Sequence, residues 1–273
     1  MSITADQVKP GEAMKTITAI FAVMLSLQVH GADWEESREI RALFEDAGVD
    51  GTFVLYDVAA DRYVGHNRVR AETRFVPAST FKIANTLIGL SVGAVESVDE
   101  VLPYGGQPQA FKSWARDMSL REAIAMSNVT IYQELARRIG LERMQAGVAR
   151  IDYGNADIGS VVDNFWLVGP LEISAKEQTR FLADLARQDL PSPRAIQNSV
   201  GEIILVDEGE GWTLFGKTGW ENAPEPGTGW WVGWVHRDSK VYPFALNIDV
   251  RQASDAGKRV ELGRACLTSL GLL

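Results

Sequence analysis

Strand-like segments stand near both ends of the chain, and the long stretch between them is mainly helical. Alternating apolar residues bounded by turn residues predict strands, and apolar residues three or four apart predict helices. The expected strands are residues 51–56, 62–66, 212–217, 229–236 and 241–250, and helical patterns prevail from about 79 to 195. Because the early and late strands have to pair with one another, this order predicts an α+β fold: an antiparallel β-sheet built from N- and C-terminal segments, flanked by helices, with an inserted helical region.

The sheet is expected to draw on residues from about 35–66 and 212–273, together with two helices. Glu35 to Asp46 has helical periodicity, and a final amphipathic helix is expected from about Ala253 to Leu270. A chain of 273 residues can bury a sizeable core, and no long linker divides this one. Residues 32–273 are therefore predicted to form one domain, with a ligand cleft between the sheet and the helical insert.

The N-terminal segment carries a long apolar run over residues 17–27. The run follows Met14 and Lys15, is too short to span a bilayer comfortably, and gives way to small or polar residues. This pattern predicts a signal peptide over residues 1–31, cleaved after Gly31, and hence export to a bacterial periplasm. Residues 1–13 are either an upstream start extension or an irregular beginning of the signal. A buried N-terminal helix is the alternative, although the run has no polar face.

Composition narrows the possible partners. Lys+Arg 27 against Asp+Glu 36 gives a net charge of −9, which argues against nucleic acid or an anionic membrane as a partner. Cys266 is the single cysteine, so no internal disulfide can form. The three histidines lie far apart in the sequence, which argues against a metal site. The expected partner is a small molecule, with no metal, no nucleic acid and, after signal cleavage, no membrane.

Ser79 and Lys82 open the helical region in the sequence Ser-Thr-Phe-Lys. Residues three apart share one helix face, so the Lys82 amine is expected to reach the Ser79 hydroxyl. Ser79 is also expected at a helix N-terminus, where unpaired backbone N–H groups favour developing negative charge. Taken alone, the motif has an alternative interpretation as a capping serine followed by a solvated lysine.

Three further short motifs follow along the chain. Lys-Thr-Gly at 217–219 is expected to end the strand over 212–217. On an edge strand, the motif could place a cation, a hydroxyl and an unobstructed backbone beside a carboxylated substrate. Ser-Asn-Val at 127–129 lies near the start of a helix, and in isolation its serine is interpreted as a helix cap. Tyr-Gly-Asn at 153–155 has the composition of a turn.

The order and spacing of these four motifs resemble the class D (OXA-type) serine β-lactamases. The segments Asn-Phe-Trp-Leu at 164–167 and Gly-Trp-Trp-Val-Gly-Trp-Val at 229–235 add to the resemblance, which covers essentially the whole mature chain. Ser-x-x-Lys and Lys-Thr-Gly are motifs of penicillin-recognising proteins. The resemblance implies a class D catalytic domain over 32–273 that hydrolyses the β-lactam amide bond through a serine acyl-enzyme and confers resistance to penicillin-type antibiotics.

The resemblance also implies the chemical roles. Ser79 is the implied nucleophile, and Lys82 is the implied N6-carboxylysine that serves as general base, with CO2 bound as a carbamate in place of a separate cofactor. The residues agree with this, since a desolvated amine has a lowered pKa and its neutral form can add CO2. Trp166 resembles the tryptophan whose indole N–H supports the carbamate, with core packing as the alternative. Ser127 is implied to relay a proton towards the departing lactam nitrogen.

Substrate binding is assigned in the same way. The resemblance gives the substrate carboxylate to Lys217, Thr218 and Arg259, with Arg251 as the alternative to Arg259. The backbone N–H groups of Ser79 and Trp220 are implied to form an oxyanion hole. The remaining assignments are Gly219 beside the substrate, Val129 and Leu167 flanking the carbamate, and Tyr153, Gly154 and Asn155 fixing a loop under the site.

One departure from related enzymes bears on the class. Class A enzymes have asparagine where this chain has Val129, and no counterpart of their deacylating glutamate loop is found. Lys82 is therefore expected to serve both acylation and deacylation, which is the class D pattern. Quaternary structure stays open between a monomer and a homodimer.

Three rival functions are weighed against this one. A penicillin-binding transpeptidase or carboxypeptidase shares the nucleophile and the Lys-Thr-Gly motif, but the cleavable signal and the Tyr-Gly-Asn motif weigh against it. A non-hydrolysing β-lactam sensor-like domain is a second alternative, although such receptors carry membrane spans and a protease motif not found here. The Gly-x-Ser-x-Gly match at 89–93 is typical of α/β-hydrolases, but its helical surroundings argue against a nucleophile elbow.

Overall fold

The computed structural model of the chain describes residues 1–2, 33–223 and 225–273. The segment from Ala32 to Leu273 forms one compact unit. The predicted signal peptide lies almost wholly outside the described residues, so its cleavage after Gly31 stays a prediction.

Short strands and helices follow one another along this unit. The strands are β1 (Asp33–Glu36), β2 (Gly51–Asp57), β3 (Arg62–His66), β4 (Arg74–Phe75), β5 (Val101–Leu102), β6 (Met118–Ser119), β7 (Ile173–Ser174), β8 (Leu205–Gly209), β9 (Trp212–Glu221), β10 (Gly227–Arg237) and β11 (Lys240–Val250). The helices are α1 (Arg38–Ala47), α2 (Arg68–Glu72), α3 (Lys82–Ser91), α4 (Leu120–Ala125), α5 (Val129–Ile139), α6 (Leu141–Arg150), α7 (Phe165–Val168), α8 (Ala175–Arg187), α9 (Arg194–Glu202) and α10 (Asp255–Ser269). A 3₁₀ turn over Ala78–Phe81 leads directly into α3.

The central sheet has the strand order β1-β3-β2-β11-β10-β9-β8, so strands from both ends of the chain form one sheet, as predicted. Its neighbouring strands are antiparallel except β1, which lies parallel to β3. The prediction of a purely antiparallel sheet is therefore wrong at this edge. Glu35 and Glu36 belong to β1 and not to a helix, because Ser37 caps α1: its Oγ accepts a hydrogen bond from the Ile40 N–H at 3.3 Å.

Two predicted bounds are also wrong in the second half of the chain, and one strand was not predicted. β9 continues through the Lys-Thr-Gly motif to Glu221, because its pairing with β10 extends to Glu221 opposite Thr228. β8 is not predicted, since its side chains present no buried face that would mark it as a strand. Helix α9 extends the helical insert from residue 195 to Glu202. Over the described residues β8 pairs with β9 along 212–215, so the Lys-Thr-Gly motif lies on a part of β9 that β8 does not cover.

Packing covers both faces of the sheet and divides the core in two. The helical insert packs on the face that carries Trp230 and Val232. Helices α1 and α10 pack on the opposite face, against Trp231 and Phe244. Because consecutive side chains of a strand point to opposite faces, the neighbours Trp230 and Trp231 pack in different halves of the core. In the part of the chain that the structure describes, no helix is long and apolar enough to cross a bilayer.

Candidate active site

The 3₁₀ turn places the Ser79 hydroxyl above the first residue of α3. Lys82 Nζ lies 2.7 Å from Ser79 Oγ, which is hydrogen-bond distance. The Lys82 side chain is fully buried, and burial lowers the pKa of its amine well below the usual range, with the charge of Lys217 adding to the effect. The motif is thus a contact between a hydroxyl and a buried amine whose neutral form is favoured by burial, and the interpretation as a capping serine with a solvated lysine is wrong.

A strained backbone precedes the serine. Ala78 has a φ of 49°, in the left-handed region, which costs a residue with a side chain about 1–2 kcal/mol. The turn is closed by the Pro77 carbonyl, which accepts hydrogen bonds from Thr80 Oγ1 at 2.7 Å and from the Thr80 N–H at 3.2 Å. Strain of this kind persists only where neighbouring contacts hold it, and it is found at functional sites.

The Lys-Thr-Gly part of β9 packs directly against this turn. A Cβ atom at Gly219 would lie 2.9 Å from the Pro77 carbonyl oxygen and 3.2 Å from the Thr80 nitrogen, so glycine allows the close approach. Thr218, one position earlier, is half-buried, and Trp220, one position later, is exposed. The unobstructed backbone that the sequence predicts is therefore needed for the packing of the strand on the turn.

Ser127 and Lys217 form a second serine–lysine pair. Ser127 stands between α4 and α5 with a φ of 56°, and its hydroxyl accepts a short hydrogen bond from Lys217 Nζ. Burial and the nearby Arg259 charge lower the pKa of Lys217 to about 7. The helix-cap interpretation of Ser127 is wrong, because Asn128 caps α5 through its Oδ1 at 3.3 Å from the Ile131 nitrogen.

Arg259, at the start of α10, reaches the same strand. Its Nη1 donates to the Gly219 carbonyl at 2.7 Å, and burial lowers the pKa of its guanidinium. Its Nε has no hydrogen-bond partner in the described part of the chain. The alternative, Arg251, is exposed and pairs with Asp50 at 2.7 Å. The structure thus brings Arg259 to the Lys-Thr-Gly motif and leaves Arg251 in a surface ion pair.

Trp166 of α7 packs beside the serine–lysine motif. Its ring stacks on Phe81, the residue before Lys82, with ring centroids 5.7 Å apart. The side chain is fully buried, and its Nε1 finds no acceptor among the residues that the structure describes. An unpaired buried donor costs about 1–3 kcal/mol. An unpaired donor on the side chain that packs on Phe81, directly before Lys82, fits a carbamate on that lysine as its acceptor.

Two predicted apolar neighbours of this position lie on separate helices. Val129 opens α5 and Leu167 is the third residue of α7, and both are half-buried. Their pairing beside a carbamate stays a prediction.

The Tyr-Gly-Asn motif lies behind the turn. Tyr153 is fully buried, and its ring meets the Phe81 ring edge-on at a centroid distance of 5.4 Å. The Asn155 side chain donates to the Pro170 carbonyl at 2.8 Å and accepts from the Glu172 N–H at 3.1 Å. Gly154 has a φ of 59°, and a Cβ there would collide with the Glu172 carbonyl. These contacts hold the loop that follows α7, and the role of the motif under the site stays a prediction.

Two residues with a part in the site were missed from the sequence. Asn128 is the true cap of α5, and Gln178 of α8 is buried against Thr80. A polar residue on the apolar face of a helix was the available signal for Gln178.

Within the described residues, two other kinds of site are not found. Ser91 lies within α3, so the Gly-x-Ser-x-Gly match has no strand before it and is not a nucleophile elbow. Over the described ranges, no group of three or more His, Cys, Asp or Glu side chains is placed to hold a metal ion.

Known proteins resemble this chain in sequence and in fold. Residues 51–267 match the penicillin-binding protein transpeptidase domain, which defines the broad class: proteins that carry the Ser-x-x-Lys and Lys-Thr-Gly motifs found together here. The chain is 37% identical to β-lactamase OXA-5 of Pseudomonas aeruginosa over 95% of this chain and 99% of that protein. It is 36% identical to β-lactamase OXA-48 of Klebsiella pneumoniae over 92% of this chain and 96% of that protein.

A solved structure narrows the assignment. The crystal structure of FUS-1 (OXA-85), a class D β-lactamase from Fusobacterium nucleatum subsp. polymorphum, superposes with a TM-score of 0.85 at 41% identity, covering 88% of this chain and 100% of that one. This chain belongs to the class D β-lactamases. The family and the fold predicted from the sequence motifs are thereby confirmed.

Proposed function

We propose that this protein hydrolyses the β-lactam amide bond through an acyl-enzyme on Ser79, with Lys82 carboxylated in its working form. The single observation that carries this proposal is the fully buried Lys82 amine, 2.7 Å from Ser79 Oγ. The class D β-lactamases to which the chain is similar make a β-lactam the favoured substrate. Resistance to penicillin-type antibiotics would be the consequence for the host.

The carbamate on Lys82 would be held by this chain's own residues. A bound carbamate supplies an anionic oxygen that acts as general base for the serine and later for water. The Trp166 Nε1–H is the donor free to support it, and Val129 and Leu167 are assigned to flank it. Burial keeps the parent amine neutral, which is the form that reacts with CO2.

The bonds made and broken follow from the arrangement of the two serines. Ser79 Oγ loses its proton and bonds to the lactam carbonyl carbon, and the carbon–nitrogen bond of the lactam then breaks. The departing nitrogen receives its proton through Ser127, whose hydroxyl accepts a hydrogen bond from Lys217 Nζ. Water next cleaves the ester and regenerates Ser79. The N–H groups of Ser79 and Trp220 are assigned to the oxyanion.

The edge of β9 that carries Lys217 and is contacted by Arg259 is assigned to orient the substrate. Lys217, Thr218 and Arg259 would bind the carboxylate that penicillin-type lactams carry, through charge-assisted hydrogen bonds. Lys217 and Arg259 both act at this edge, since the Arg259 charge lowers the pKa of Lys217 and Arg259 donates to the Gly219 carbonyl. Gly219 leaves the backbone open beside the bound lactam.

The site of action is proposed to be the periplasm, reached through the signal over residues 1–31. The expected mature N-terminus is Ala32, and N-terminal sequencing of the exported protein tests this directly. A retained signal would contradict it. Size measurement of the same material in solution decides between a monomer and a homodimer.

Hydrolysis of a chromogenic β-lactam, with and without bicarbonate and at pH values below and above neutral, tests the proposed function. Many turnovers that increase with bicarbonate, most clearly at low pH, are expected. A single stoichiometric burst that is insensitive to bicarbonate would instead indicate a penicillin-binding transpeptidase or a sensor-like domain, and would overturn the role of Lys82.

A further inference from the structure

A buried hydrogen-bond network ties the turn that carries Ser79 to helix α8. The Gln178 side chain is 1% exposed, and its Nε2 donates to Thr80 Oγ1 at 3.0 Å and to the Tyr153 hydroxyl at 3.1 Å. Thr80 Oγ1 in turn donates to the Pro77 carbonyl at 2.7 Å. One amide group therefore joins the Tyr-Gly-Asn motif to the residue directly after the nucleophile.

The position of Gln178 in the core is itself unusual. It lies on the face of α8 that carries Phe181, Leu182 and Leu185, all buried. A polar side chain in such a place is unfavourable unless its hydrogen bonds are made. The two donations, to Thr80 and to Tyr153, satisfy that condition, so the network accounts for a glutamine where an apolar residue would otherwise pack.

The network bears on the strained part of the turn. Ala78 is left-handed, and the residues on either side of Ser79 must hold it there. Thr80 does so through its two hydrogen bonds to the Pro77 carbonyl, and Gln178 fixes the Thr80 hydroxyl that makes one of them. Thr80 is 1% exposed, so water does not reach this contact easily.

We propose that Gln178 is a positioning residue for the reaction at Ser79. By holding the Thr80 hydroxyl, it keeps the turn in the shape in which Ser79 Oγ lies 2.7 Å from Lys82 Nζ. A displacement of about 1 Å in such a pair can slow group transfer about 100-fold. Gln178 acts through Thr80 and does not touch the substrate. The inference rests on the proposed acyl transfer at Ser79.

The test is the acylation rate of the full chain carrying Gln178→Met. Methionine keeps the length and the burial of the side chain and removes both donated hydrogen bonds. In single turnovers with enzyme in excess over a chromogenic β-lactam, we expect the acylation rate constant to fall about tenfold or more while the dissociation constant of the initial complex stays the same. Thr80→Val breaks the same contact from the other side and should slow acylation similarly.

Combining the two changes separates positioning from general destabilisation. Because both act on one contact, the Thr80→Val/Gln178→Met double variant should be little slower than the slower single variant. Gln178→Leu, which also removes both donated hydrogen bonds, takes the place of Gln178→Met if that variant does not fold. Rates that multiply in the double variant would mean that the two side chains act separately, and would overturn the proposal.

Gln197 offers a matched control. This glutamine of α9 is 2% exposed, and its Nε2 donates to the Leu190 and Ser192 carbonyls at 3.0 and 2.8 Å, in a loop outside the site. Gln197→Met should lower the melting temperature without slowing acylation. Equal slowing by Gln197→Met, or an unchanged acylation rate in Gln178→Met, would overturn the inference. If the unaltered protein forms no acyl-enzyme, the proposed function fails instead.

Discussion

Lys82 Nζ and Ser79 Oγ lie 2.7 Å apart, and the lysine of this pair is completely buried. Two effects lower the pKa of its amine: burial contributes most, and the positive charge of Lys217 adds to it. Neither effect comes from a carboxylate. In its neutral form, which burial favours, an amine at this distance from a hydroxyl can exchange a proton with it and can also add CO2. The reactivity of the site therefore depends on a lysine that lies in the core.

Ser79→Ala should abolish turnover, because the hydroxyl that forms the acyl bond is removed. We expect hydrolysis of a chromogenic β-lactam to fall by about 10⁴-fold or more, and mass spectrometry to detect no acylated protein. Ser91→Ala is the matched control, since Ser91 lies in the Gly-x-Ser-x-Gly segment. Within the described chain, its hydroxyl forms hydrogen bonds only with the Leu87 carbonyl and the Ser192 hydroxyl. Loss of turnover in Ser91→Ala would contradict the assignment of the nucleophile.

Carboxylation of Lys82 should depend on pH with a definite sign. The amine adds CO2 only when neutral, and burial lowers its pKa, which favours that form. As the pH falls, the amine gains a proton and the carbamate is lost, so activity should fall and added bicarbonate should restore it. Carbon-13 NMR after labelling with ¹³C-bicarbonate should give one carbamate signal that disappears in acid. A signal retained in Lys82→Ala would locate the carbamate elsewhere.

Trp166→Phe should weaken the carbamate while preserving the stacking on Phe81. A hydrogen bond to a charged group contributes about 1.5–3 kcal/mol, so roughly 10- to 100-fold more bicarbonate should be needed for full activity. Trp234→Phe is a closely matched control, because Trp234 is also buried with an Nε1 that has no partner in the described residues, yet it packs on Phe215. If both variants behave alike, Trp166 serves only core packing.

Arg259→Ala should raise KM for lactams that carry a carboxylate. Loss of a charge-assisted hydrogen bond predicts a rise of about 10- to 100-fold, with a smaller effect on kcat. Arg251→Ala should leave KM unchanged, because Arg251 is committed to the surface pair with Asp50. Steady-state kinetics of the two variants decide the point, and a larger KM in Arg251→Ala would reverse the assignment.

Loss of the Lys217 proton should lower kcat/KM as the pH rises. Its pKa is lowered to about 7, so below that pH it is a cation that attracts the substrate carboxylate, and above it the attraction is lost. Since the Arg259 charge helps to lower this pKa, Arg259→Ala should move the loss to higher pH. A lactam with its carboxylate esterified should not show this limb. Persistence of the limb with the ester would rule out Lys217 as its cause.

Much of the fold could be predicted because its signals are local. Apolar runs bounded by turn residues mark β2, β3, β10 and β11, and the early and late strands do share a sheet. The errors arose where a side chain or a partner strand overrides the local pattern. Ser37 ends β1 and begins α1 within a segment of helical periodicity, and pairing with β10 carries β9 past the Lys-Thr-Gly motif.

The reactive residues themselves were available from the sequence, since a serine and a lysine three positions apart on one helix face need no tertiary information. That spacing, together with the order of the motifs along the chain, determined the family. The tertiary structure alone decided the partners across the site: Ser127 with Lys217, Arg259 with Gly219, and Gln178 with Thr80. The physical reason is that these contacts join elements far apart in the sequence. Only the packing of the helical insert against the sheet brings them together, and that packing also excludes the water that would otherwise keep the pKa values of Lys82 and Lys217 high.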